Sequence, residues 1–70
     1  MQEKKDNKLG QNIQAKRKEL GLTQEAFARK VKIPYTTLTK IEIGAIKDPS
    51  VYIIVKIAKF LNVLVENLVR

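Results

Sequence analysis

The sequence predicts an all-α fold of five short helices. Three observations carry that expectation. Apolar residues recur at helical spacing; stop and start signals divide them into segments; and strand-like alternation is absent. The chain has 70 residues, enough for one domain. Residues 1–8 carry five charged side chains and no apolar residue after Met1, so they read as a charged arm in which Lys4, Lys5 and Lys8 form a solubilising tail. Residues 9–70 are expected to form the folded domain.

Leu9, Ile13, Arg17 and Leu20 fall on one stripe of a 3.6-residue period and define the first helix. Gly21 follows as its left-handed stop. Thr23 offers a hydroxyl cap for the second helix, whose buried face is Phe27, Ala28 and Val31 and whose end is near Lys32. Pro34 separates it from a third helix with Leu38 and Ile41 inward, stopping at Gly44. Asp48 as cap with Pro49 at the first helical position predicts the start of the fourth. It should run to about Leu61, with Val51, Ile54, Ala58 and Leu61 inward. A last short helix is expected over Val65 to Val69. Lys56 and Lys59 are expected as ordinary solvated charges on the fourth helix.

Composition removes several function classes. The chain has no cysteine and no histidine, which excludes disulfide frameworks, thiolate zinc sites and histidine-based acid–base catalysis. The seven carboxylates show no clustered nucleophile–base spacing, so an enzyme is not expected, nor is any cofactor or metal. Fourteen Lys and Arg against those seven leave a formal charge of +7, which favours a polyanionic partner. Val51 to Val55 is the longest apolar run, far below the ~20 residues that span a bilayer. The basic residues are spread over several helices rather than lining one amphipathic face, so a membrane-surface role is not expected either. A cytoplasmic location follows as the expectation.

Two helices joined by a short turn have the geometry of a helix-turn-helix. Ala28 is small enough for a close crossing, Ile33 anchors the turn, and Leu38 and Ile41 face back from the third helix. That leaves Tyr35, Thr36, Thr39 and Lys40 outward. All four can hydrogen-bond and none is acidic, which suits base edges in a major groove. Arg17 and Glu42 stand on core-facing stripes, where each charge is strongly disfavoured unless the two meet. Ile53 and Phe60, with Leu64 beyond the helix end, point away from the expected inward face of the fourth helix. Together with Leu68 and Val69 they suggest a dimer patch.

Leu22 to Gly44, LTQEAFARKVKIPYTTLTKIEIG, resembles the helix-turn-helix of the phage-repressor family, which includes Cro and lambda-repressor-like proteins. The flanks LGQNIQAKRKELG and DPSVYIIVKIAKFLNV are similar as well, so the resemblance covers about Leu9 to Leu68. It implies a five-helix DNA-binding domain acting as a transcriptional regulator, with repression as the expected effect, and a prokaryotic or phage origin. It also implies that Gln24 bonds a backbone phosphate, that Tyr35, Thr36 and Lys40 touch base edges, and that Lys47 and N–H groups near Ser50 grip phosphate. It places a buried ion pair at Arg17 and Glu42, and a homodimer on double-stranded DNA with recognition helices about 34 Å apart. The alternative is a protein-interaction module of the same fold, such as an antitoxin that masks a toxin. Three positions depart from the family pattern. Lys32 stands where glycine is common, Pro34 where a hydroxyl cap is common, and Leu64 where a polar cap is common.

Overall fold

The structure, a computed structural model, describes residues 8–70. Residues 1–7 of the expected arm lie outside the described residues. Lys8, the remaining member, precedes the first helix, and its N–H donates to the Val69 carbonyl at 3.3 Å. Five helices follow: α1 (Leu9–Glu19), α2 (Gln24–Val31), α3 (Tyr35–Glu42), α4 (Val51–Leu61) and α5 (Val65–Val69). The described residues contain no strand.

Three of the helices end in the same way. An N–H just past the helix bonds back to a carbonyl five residues earlier, while the residue directly before that donor turns left-handed. In α1 this is Leu22 onto Arg17 at 3.2 Å around Gly21; in α2, Ile33 onto Ala28 at 3.0 Å around Lys32; in α4, Val63 onto Ala58 at 3.0 Å around Asn62. Glycine and asparagine tolerate that conformation, whereas lysine does not do so freely. Lys32 sits at φ 68° and ψ 48°. Lys32→Gly relieves the clash and gives back part of the gain as chain entropy, so a net stabilisation of about 0.5–1 kcal/mol is expected. A midpoint of thermal unfolding that is unchanged or lowered would contradict this.

One core joins all five helices. Leu9 and Ile13 of α1, Phe27 of α2, Leu38 and Ile41 of α3, Ile57 of α4 and Leu68 of α5 are fully buried. α1 lies against α3 and α5, and α2 lies against α3 and α4. Gly10 makes the α1–α3 contact close. A Cβ there would collide with the Ile41 carbonyl oxygen and stand 2.9 Å from that of Glu42. The chain ends are tied by Asn12, whose Nδ2 donates to the Leu68 carbonyl at 2.7 Å. That carbonyl would otherwise be one of the orphan acceptors at the end of α5.

Several expectations are corrected. Leu20 is exposed; α1 ends before it, and the turn at Gly21 brings Leu22 onto the core instead. The fourth helix is capped by Ser50, whose Oγ accepts from the Ile53 N–H at 3.2 Å, rather than by Asp48, and Pro49 lies outside it. Its inward residues are Ile57 and Ala58, with Ile54 and Leu61 half-buried, while Val51 is 76% exposed. The expected dimer patch also changes. Leu68 is a core residue, 1% exposed, and Ile53 and Val69 pack against the core. Phe60 stays 38% exposed although its ring meets Phe27 at a centroid distance of 5.5 Å and an angle of 88°. Leu64 remains exposed. The cause is that α4 is apolar around most of its circumference, so periodicity alone does not decide which side turns inward.

Candidate nucleic-acid interface

α2 and α3 are joined by three residues, Lys32, Ile33 and Pro34. Thr23 caps α2, its Oγ1 accepting from the Ala26 N–H at 3.1 Å. Ile33 is buried and anchors the turn, while Pro34 gives α3 an extended entry and no side-chain cap. Leu38, Ile41 and Glu42 fasten α3 from within. The side of α3 away from the core therefore presents Tyr35, Thr36 and Lys40, all exposed, with Thr39 half-buried beside them. The Thr39 hydroxyl donates to the Thr36 carbonyl at 2.9 Å. Its hydrogen is spent, so toward any ligand Thr39 can only accept.

Behind α3 lies a buried polar cluster. Arg17 Nε donates to Glu42 Oε2 at 2.8 Å and Arg17 Nη2 to Oε1 at 3.0 Å, a two-pronged pairing. Arg17 Nη1 donates to the Leu22 carbonyl at 2.9 Å, so the guanidinium also ties down the turn after α1. Gln24, the first residue of α2, donates from Nε2 to Glu42 Oε1 at 2.9 Å. The two side chains of the ion pair are 9% and 1% exposed, and solvent screening of the pair is correspondingly small.

The other expected contact residues sit after α3. Lys47 is exposed in the loop between α3 and α4. Ser50 caps α4, and a hydroxyl that accepts from Ile53 keeps its own hydrogen for donation. Lys56 departs from its expected role as an ordinary solvated charge. Its Nζ donates to the Lys32 carbonyl at 2.9 Å and lies 4.5 Å from the centre of the Tyr52 ring. It therefore braces the left-handed residue of the turn, a link that no spacing rule along the chain reveals. Among the described residues, no group of His, Cys, Asp or Glu could hold a metal ion. No helix among them is long and apolar enough to cross a membrane.

A capped helix, a three-residue turn and a second helix with a polar outer row define a helix-turn-helix protein. The helix-turn-helix family model matches residues 13–67, and the chain belongs to that family, in the company of Cro and lambda-repressor-like regulators. Among solved structures it is similar to SinR of Bacillus subtilis, the master regulator for biofilm formation. The complex of SinR with DNA gives 32% identity and a TM-score of 0.80, over 86% of this chain and 95% of that one. The SinR–SinI complex gives 32% identity and a TM-score of 0.81, over 86% of this chain and 58% of that one. The restriction-modification controller protein C.AhdI from Aeromonas hydrophila gives 28% identity and a TM-score of 0.77, over 87% of this chain and 91% of that one. No curated protein matches the chain.

Proposed function

We propose that the protein binds double-stranded DNA sequence-specifically as a transcriptional regulator, and represses by occupying an operator. The observation that carries this is the outer row of α3. Tyr35, Thr36 and Lys40 stand exposed on a helix fixed from behind by Leu38, Ile41 and the Arg17–Glu42 pair. In a major groove these groups meet base edges. Thr39, limited to accepting, suits an adenine or cytosine amino group. Gln24, Lys47 and Ser50 grip phosphate, and the counterions displaced where Lys47 and the other basic side chains neutralise phosphates make affinity fall steeply with salt.

Lys40 and Lys47 separate the two kinds of contact. Lys40→Ala is expected to cost about 1–3 kcal/mol on the selected operator and to relax preference at one base position. Lys47→Ala is expected to weaken all sequences alike and to lower the salt slope by about one ion. Selection of bound sequences from a random pool at two salt concentrations reads both effects. Unchanged operator affinity in both variants would refute the assignment.

The proposal includes a homodimer on DNA. Of the patch expected from sequence, Leu64 and Phe60 remain exposed, and Val65 next to Leu64 is exposed as well. Leu64→Ser is expected to shift sedimentation toward monomer, and a wild-type protein that is monomeric at high micromolar concentration would count against this surface.

A further inference from the structure

The Glu42 carboxylate holds more than its ion-pair partner. Its Oε1 accepts from Gln24 Nε2 at 2.9 Å as well as from Arg17 Nη2 at 3.0 Å. An ionised carboxylate only accepts, so the Gln24 amide can meet it only with its NH2 end. One amide hydrogen is spent, and the direction of the second is thereby set. Gln24 also opens α2, where the first backbone N–H groups lack intrahelical partners and the helix dipole is positive. We infer that Glu42 is a positioning residue for DNA binding: acting through Gln24, it presets the amide donor that takes a backbone phosphate. The inference rests on the proposed DNA-binding function and deepens it at this contact.

The competing view is that the buried pair serves folding alone. Magnitude and chemistry separate the two. A surface glutamine with no internal partner rotates its amide freely and offers its acceptor oxygen to a phosphate as readily as its donor. Fixing the NH2 end removes the repulsive orientation and the rotamer freedom that binding would otherwise cost. Because a phosphate carries no base identity, the effect must be the same on every duplex.

Glu42→Gln would leave a buried arginine unpaired and could unfold the domain, so the test uses Arg17→Met with Glu42→Leu. That pair removes the carboxylate while keeping net charge and apolar volume. With folding checked by circular dichroism, affinities are measured for a duplex selected from a random pool and for an unrelated duplex. The double variant is expected to bind both about three- to tenfold more weakly. Gln24→Ala should weaken binding in the wild-type background and cost less in the double variant. Wild-type affinity in the double variant would overturn the inference, as would an equal Gln24→Ala loss in both backgrounds. Should the double variant not fold, nuclear magnetic resonance of the free wild-type protein decides. One Gln24 side-chain amide proton shifted and slow to exchange supports the inference, and two protons typical of solvated glutamine overturn it. A wild-type protein that binds no duplex overturns the proposed function itself, an outcome distinct from binding without coupling.

Discussion

Arg17→Ala alone is expected to lower the unfolding free energy by about 3–5 kcal/mol, measured as a shift of the urea midpoint at constant slope. The variant strands Glu42, 1% exposed by side chain, with only the Gln24 amide to answer its charge. It also frees the Leu22 carbonyl that Arg17 Nη1 holds at 2.9 Å, loosening the turn after α1. In a domain of this size, with about 5–15 kcal/mol in total, that loss is a large share of the stability. Replacing both charges, as in Arg17→Met with Glu42→Leu, should restore most of the stability, because the cost lies in the uncompensated ion rather than in the missing bridge. A loss below about 1 kcal/mol for Arg17→Ala would place the pair among weak surface bridges, contrary to its burial.

Gly10→Ala is the second large expected effect, and two terms of opposite sign compete in it. Alanine in a helix is better than glycine by about 0.8–1 kcal/mol. Against this, the added methyl runs into the backbone oxygens of Ile41 and Glu42, which cannot rotate away as a side-chain tip could. Overpacking of this kind costs about 1–3 kcal/mol and sometimes more, and relief requires α1 and α3 to separate. Separation would also stretch the Arg17–Glu42 pair, since residue 17 lies two turns along the same face of α1. A net loss of up to about 2 kcal/mol is therefore expected, with weaker DNA binding in proportion to any displacement of α3. Gly21→Ala is the control. Nothing lies within 4 Å of a Cβ there, and only its φ of +70° opposes the change. Calorimetry that finds Gly10→Ala more stable than the wild type would show that the α1–α3 approach is looser than described.

Much of the site is legible in the chain itself. Tyr35, Thr36, Thr39 and Lys40 share an outer row because α3 has a regular period and two inward anchors, and a local rule of that kind needs no tertiary knowledge. Arg17 and Glu42 were legible by the same logic, since a charge on an apolar stripe calls for a partner. Gly10 was not, because nothing beside it in sequence marks which backbone it must admit. Lys56 was missed for a similar reason. Its partner is the carbonyl of Lys32, 24 positions away, and a carbonyl leaves no trace in residue identity. The start of α4 was misplaced because Asp48-Pro49 and Ser50 are both good openings, and only the hydrogen bond from the Ile53 N–H chooses between them.

By itself the sequence determined the number of helices, the left-handed stop at Gly21, the polar outer row of α3 and the charge that favours a polyanion. Each follows from short-range rules of period, capping and composition. Only the tertiary structure decided which side of α4 turns inward, that Leu68 belongs to the core, and that Gln24 faces Glu42. Those outcomes depend on which surfaces arrive from elsewhere in the chain, and an almost wholly apolar helix or a flexible amide accepts more than one arrangement until its neighbours are in place.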